Sequence, residues 1–261
     1  MAEQGASGHD SAVQWVRGFY ERQYDWAGWR NRWADVDSSV TDPRVDAVRR
    51  LAGSGPKRVL ELGSGTGTTA ANLAHAGHDV VAIELLPDLA ENAGRLAREV
   101  NAGSLRAVAG DFYEVEVEGP FDVVAYFDGF GIGSDEDHRR LLRRIASWLH
   151  RSGHALVDVL TPWYWATAAG SEEEFPPGTG VRYRDDFDVA ESRMTERMWR
   201  NGREDEAVTQ SIRCYSPADL RLLVEGTGLA LTDVEWYVDQ RYGEQCRARD
   251  AMLFLARLSP G

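Results

Sequence analysis

Several things are scarce in this chain, and each scarcity excludes a class of protein. Its two cysteines, Cys214 and Cys246, lie far apart and in no metal-ligand spacing, so no disulfide framework is expected and a reducing compartment, the cytoplasm, fits. The start MAEQGASGHDS is polar, without the apolar core of a signal peptide, and no later run reaches the roughly 18 apolar residues of a membrane span. Basic charge is short: 29 Lys and Arg stand against 42 Asp and Glu in 261 residues, for a net charge of −13. That field repels nucleic acid and anionic lipid. A small molecule is the expected partner, with simple solubility as the other account of the acidity. Lysine is nearly missing, Lys57 being the one, while Ala, Gly and Arg abound, as expected of a GC-rich bacterial genome. The six histidines (9, 75, 78, 138, 150 and 154) lack ligand spacing with acids, and no GxSxG or cysteine-nucleophile context occurs. No metal is expected.

What the chain does have is a rhythm. With 43% hydrophobic residues it can bury one sizeable core. From Lys57 onward, the apolar runs KRVLEL, DVVAIE, LRAVAG, FDVVAYF and HALVDVL alternate with amphipathic stretches such as PDLAENAGRLAREV and DEDHRRLLRRIASWLH. Near-continuous apolar strands separated by such helices predict a doubly wound α/β fold, a parallel sheet covered on both faces. Around it the sequence predicts a disordered start over 1–10 and a single domain over 11–261. Within that domain, 11–53 form an N-terminal helical cap rich in aromatics, and Trp26, Trp29 and Trp33 fall on one helical face. A second helix follows Thr41 or Asp42 as cap, with Pro43 at its first position. Residues 163–215 break the rhythm: WYWATAAGSEEEFPPGTG reads as loop, and the remainder as two or three strands of an antiparallel insertion turning near Asn201-Gly202. The ending resumes with helix SPADLRLLVEGTG, capped by Ser216, and strands ALTDVEWYV and AMLFLARL.

The chemistry gathers after the first strand, at VLELGSGTGTTA. In an open parallel sheet, ligands bind beyond the carboxyl ends of the strands at the topological switch point. Glycines there allow positive φ and let a ligand lie against bare backbone, with helix N–H groups facing it. A dinucleotide fingerprint runs GxGxxG, whereas here the third glycine comes one position early. The context adds weight. Glu84 ends the second strand 21 residues after Gly63, Gly110-Asp111-Phe112 follows the third, and YFDGFG (126–131) follows the fourth. Each position has a plain structural reading as well: Gly63 and Gly65 as turn residues, Glu84 as a solvated strand end, Asp111 as a cap, Phe127 as core and Asp128 as a turn former.

These four segments in this order resemble the class I S-adenosylmethionine-dependent methyltransferases, over about residues 20–160 and by pattern at the C-terminal strands. The resemblance implies a seven-stranded sheet of order 3-2-1-4-5-7-6 with the last strand antiparallel. It implies that Gly63, Ser64, Gly65 and Gly67 line the methionine and ribose of the donor, that Glu84, with Leu85 beside it, binds the ribose diol, and that Asp111 and Phe112 hold the adenine. Phe127 would line the methionine moiety, Asp128 the acceptor pocket, and Tyr24 would close over the cofactor from the N-terminal segment. The products would be S-adenosylhomocysteine and a methylated acceptor. DGFGIGSDEDHRRLLRRIASWL together with TPWYWA further resembles actinobacterial small-molecule methyltransferases of natural-product pathways, which implies an aromatic or indole-bearing acceptor methylated at carbon.

Since the sulfonium is an activated donor, the protein mainly has to align nucleophile and methyl while excluding water. A base is required only where the acceptor must shed a proton. On position, Tyr20 and Glu21 are the expected proton acceptors, and Arg30, Trp163, Tyr164, Trp165, Arg213 and Tyr215 join Asp128 as expected acceptor contacts, flat aromatic walls suiting a flat or cationic molecule. N- or O-methylation of a small amine, acid or phenol is the alternative within the class. A nicotinamide dehydrogenase and a non-catalytic cofactor-binding regulator are the alternatives outside it.

Overall fold

A computed structural model of the chain describes residues 8–28, 42–238, 241–243 and 246–261. Trp29, Arg30, Trp33 and Thr41 lie outside these residues. Helix α1 spans Gly8–Trp26 and α2 Pro43–Ala52. Then β1 (Arg58–Leu62), α3 (Thr68–His75), β2 (Asp79–Glu84), α4 (Pro87–Leu96), β3 (Ser104–Ala109), β4 (Phe121–Phe130), α5 (Asp135–Trp148) and β5 (Leu149–Leu160) alternate as the apolar rhythm predicts. An excursion follows, through α6 (Pro162–Ala168), β6 (Glu172–Glu174), β7 (Val181–Asp188), β8 (Arg193–Arg200) and β9 (Arg203–Arg213). The chain closes with α7 (Pro217–Val224), β10 (Leu229–Val238), β11 (Arg241–Gly243) and β12 (Leu253–Pro260).

The main sheet runs β3-β2-β1-β4-β5-β12-β10-β11. Strands β1 to β5 pair in parallel, and β12 runs antiparallel to both β5 and β10. Seven of these strands therefore stand in the expected order, but the sheet has eight. Arg241–Gly243 doubles back on β10, with Tyr237 opposite Tyr242, and three residues are too few for a periodic pattern to register. Local chemistry fixes the helix starts. Asp42 accepts from the Arg44 N–H at 2.9 Å ahead of Pro43, and Ser134–Asp137 and Ser216–Asp219 form reciprocal capping boxes for α5 and α7.

The insertion differs from its sequence reading. It is a four-stranded antiparallel sheet, β6-β7-β8-β9, and the stretch read as loop holds α6 and β6. β8 and β9 are joined through Asn201-Gly202, Arg200 facing Arg203. This sheet and α1 form one cap: Phe19 is buried among Val181, Tyr183 and Met198. The cap sits over the carboxyl edge of the main sheet, where Met194 and Ile212 cluster with Leu160 at the end of β5.

One glycine of the loop after β1 has a packing role. A Cβ on Gly67 would fall 2.8 Å from Ala93 Cα and closer still to its Cβ, and the backbone there has φ 80°. The N-terminus of α3 meets α4 with no room for a methyl group. Gly67→Ala should therefore lower stability by about 2 kcal/mol or more, through overpacking and left-handed strain together, measured by chemical denaturation; an unchanged midpoint would refute the packing role.

Candidate functional site

Between the sheet edge and the cap lies a cavity of about 760 Å³. Its floor is the loop after β1. Gly63 (φ 61°) and Gly65 (φ 55°) both take left-handed backbone and line the cavity. A Cβ on Gly65 would sit 2.7 Å from the Tyr24 hydroxyl, and one on Gly63 would sit 3.5 Å from the Tyr126 ring. The bare backbone is thus a surface on which α1 already rests. Glu84 fixes the loop: its Oε2 accepts from the Gly65 N–H at 2.8 Å and its Oε1 from the Leu86 N–H at 2.9 Å. Burial pushes this carboxyl up, while those two N–H groups hold it back. Asp111 lines the cavity and also serves its own turn, accepting from the Tyr113 N–H at 2.8 Å. Phe112, beside it, packs on Tyr126 at 5.3 Å between ring centroids, and Ser64, Leu85 and Phe127 complete this half.

Two residues here escaped the sequence reading. Glu61, in the quoted VLELG run itself, lines the cavity with a buried Oε2 that has no hydrogen-bond partner among the described residues. Burial pushes its carboxyl up to about 8, against the pull of the Arg44 guanidinium. Arg44, on the first turn of α2, lies over the Phe127 ring at 5.4 Å and is kept charged by Asp158 and Asp128 despite its burial. Glu61 had a visible signal, a carboxylate in an otherwise apolar strand. Arg44 had none, because only the fold brings α2 to this edge.

The other half of the cavity is built on α1, the tip of β4 and the inner face of the cap sheet. Val16, Tyr20, Gln23 and Tyr24, spaced i, i+4, i+7, i+8, form the inward face of α1. The Tyr20 hydroxyl donates to Gln210 Oε1 at 3.3 Å, and Gln210 Nε2 donates to Glu196 Oε1 at 2.8 Å. Glu196 sits between Met194 and Met198 on one face of β8, a carboxylate in an apolar stripe, and burial followed by the charge of Asp185 pushes it up to about 8. The alternation Met-x-Glu-x-Met could have revealed it; the surrounding charges of RMTERMWR hid it. Asp128 lines the cavity from a left-handed backbone with φ 54°, its side chain accessible to solvent there. Burial raises that carboxyl, and Arg44 opposes the rise.

Several expected site residues lie elsewhere. Glu21 is exposed, on the solvent side of α1. Tyr20 lines the cavity, but burial and the neighbouring Asp128 raise its phenol well above the usual value, so it serves as a hydrogen-bond donor and is ill suited to be a base. Gly67 packs on Ala93 rather than lining the cavity. Of the aromatic run, Trp165 lines the cavity while Trp163 packs on Trp236 at 6.0 Å and Tyr164 lies edge-on to Trp165 at 5.3 Å. Arg213 and Tyr215 form a latch. Arg213 binds Asp135 at 3.2 Å and the Cys214 carbonyl at 2.7 Å, and Tyr215, fully buried, bonds Asp135 and His138, each at 2.6 Å. They tie β9 to the start of α5. Arg30 lies outside the described residues.

The profile of the methyltransferase-domain family matches residues 59–153, the segment that carries the loop, Glu84, Asp111 and Asp128. The chain is 29% identical over 237 residues to a cypemycin N-terminal methyltransferase of a Streptomyces species, covering 85% of this chain and 94% of that one. Among solved structures, the CcbJ methyltransferase of Streptomyces caelestis aligns with a TM-score of 0.69 at 20% identity, over 88% of this chain and 99% of that one. The glycopeptide N-methyltransferase MtfA, solved with S-adenosylhomocysteine, aligns with a TM-score of 0.58 at 18% identity, over 84% and 90%.

Two outcomes are expected. Gly65→Val drives a side chain into the Tyr24 hydroxyl and should abolish binding of S-adenosylhomocysteine in calorimetry, while the circular dichroism of the fold is retained; unchanged affinity would reduce the loop to a mere turn. Glu61 and Glu196, raised to about 8, and Asp158, raised to about 7, hold protons in the folded chain that the unfolded chain has already released. Their contribution to stability is complete below the ordinary carboxyl range and is lost as pH rises through about 7 to 8. The ligand-free protein should melt several degrees lower at pH 9 than at pH 6, and Glu196→Gln should flatten that slope.

Proposed function

We propose that this chain, which is a class I S-adenosylmethionine-dependent methyltransferase, methylates the nitrogen of a small amine-bearing natural product. The dehydrogenase and non-catalytic readings fall away with that identity. The residues present fit the donor. Bare backbone at Gly63 and Gly65, the cavity-facing Glu84, and the unpartnered Oε2 of Glu61 match in turn a nucleoside laid on backbone, a ribose diol and an α-ammonium group. Asp111 and Phe112 would take the adenine end. When bound, S-adenosylmethionine supplies a sulfonium-activated methyl group and leaves as S-adenosylhomocysteine.

The observation that carries the acceptor reading is the pair of acidic side chains that line the cap side of the cavity, Asp128 and the half-buried Glu196. Glu196 feels the charge of Asp128, Asp128 that of Arg44, and neither has an ion-pair partner within 4 Å among the described residues. A protonated amine supplies the missing cation. Glu196, held by Gln210, accepts a proton from that ammonium and so frees the nitrogen lone pair. Asp128 keeps the nitrogen in place. Tyr20 and Trp165 shield the site from water. The reading agrees with the name of the Streptomyces relative, a cypemycin N-terminal methyltransferase. Methylation at carbon of an indole-bearing acceptor has less to recommend it, because of the Trp163–Trp165 run only Trp165 lines the cavity, and stacking alone gives no role to the two acidic side chains that line it.

Label transfer from methyl-labelled donor should mark amines in preference to indoles and phenols in a mixed metabolite pool, read by mass. With an amine acceptor, kcat/KM should rise as pH passes through about 8, where Glu196 ionises. Glu196→Gln should remove that limb and lower kcat by about 10² or more, leaving affinity for S-adenosylhomocysteine intact. An unaltered pH profile in this variant would overturn the role of Glu196.

A further inference from the structure

The tip of β4 leaves the regular ladder. Tyr126 pairs with Val157 and Phe130 with Val159, so residues 127–129 bulge opposite the single residue Asp158. The bulge turns Asp128 into left-handed backbone and takes away the ladder partner of its N–H. The Asp158 side chain replaces that partner: Oδ2 accepts from the Asp128 N–H at 3.3 Å. Asp158 is itself held. The Tyr242 hydroxyl donates into its carboxylate, 2.9 Å from Oδ1 and 3.1 Å from Oδ2. Tyr242 is carried by β11, the short strand absent from the expected seven, and is set there by pairing with Tyr237, the two ring centroids being 5.0 Å apart. The Arg44 guanidinium supplies the positive charge that both Asp158 and Asp128 feel. Neither Asp158 nor Tyr242 lines the cavity.

From this we infer that Tyr242 and Asp158 are positioning residues, which hold the β4 bulge so that the Asp128 carboxylate points at the acceptor, and that strand β11 exists to deliver Tyr242 to that task. This rests on the reading of Asp128 as an acceptor-side carboxylate. A bulged, left-handed aspartate has a competing extended conformation that would withdraw its side chain, and the hydrogen bond to Asp158 is what selects between them. The Asp158 side chain accepts from both the Asp128 N–H and the Tyr242 hydroxyl and also feels the charge of Arg44.

The test is a set of crystal structures of the full chain with S-adenosylhomocysteine, as wild type, Tyr242→Phe, Asp158→Asn and Asp158→Ala. Turnover is measured in parallel with a short peptide bearing a free amino terminus as the amine probe. In Tyr242→Phe and Asp158→Ala the 127–129 bulge should rearrange and the Asp128 carboxylate leave the cavity, while affinity for S-adenosylhomocysteine is kept. Where the probe is turned over, kcat should fall by about 10²-fold for a displacement of about 1 Å. Asp158→Asn keeps one acceptor oxygen for the Asp128 N–H and should restore the bulge in part. In an Asp128→Asn background, Tyr242→Phe should lower kcat no further, whereas a merely structural role would give additive losses. A bulge unchanged in both Tyr242→Phe and Asp158→Ala overturns the inference and leaves the reading of Asp128 standing. Asp128→Asn with undiminished turnover would overturn that reading and this inference with it.

Discussion

The hydrogen bonds from the Gly65 and Leu86 amides to the two oxygens of Glu84 are the constraint on which the site depends. They join the loop after β1 to the loop after β2, so two adjacent strand tips move as one. A glycine-rich turn is entropically costly to order, and a buried carboxylate that finds two amide donors repays part of that cost while fixing the direction in which the loop faces. Everything that meets the cavity floor, Tyr24 included, meets it in a conformation that Glu84 sets.

Much of the main sheet was legible because its information is local. Strands β1, β2, β4 and β5 are largely buried on both faces and so read as near-continuous apolar runs, and two helix starts announce themselves through Asp42-Pro43 and Ser216. The short strand β11 was not legible, since its pairing depends on β10 rather than on any pattern of its own. The donor half of the cavity was legible for the same reason as the sheet: Gly63, Gly65, Glu84 and Asp111 each follow a strand tip, and strand tips can be counted along the chain. Gly67 shows the limit of that counting. It belongs to the motif by position, yet its missing side chain makes room for Ala93.

The cap-side half was largely hidden, because it is assembled from Tyr20, Asp128, Glu196 and Gln210, which no spacing connects. Its chemistry also runs against surface expectation. RMTERMWR has the composition of a solvated strand, but in the fold one face of it turns inward, and burial pushes the carboxyl that reads as surface charge up to about 8. Conversely, the residues that looked exposed and functional, Arg213 and Tyr215, are spent on holding β9 to α5 through Asp135. Aromatic density was equally ambiguous: of the WYW run, one ring reaches the cavity, while Trp163 packs on Trp236 of β10 and Tyr164 on Trp165.

Helix α1 carries Tyr24 over the glycine loop and Tyr20 on the acceptor wall, one turn or about 6 Å apart along a single rigid rod. A shift of the rod at one end is a shift at the other. A ligand that moves one end of the rod therefore acts on the other, and whatever factor a ligand on the glycine loop imposes on binding at the Tyr20 wall, a ligand there must return in equal measure.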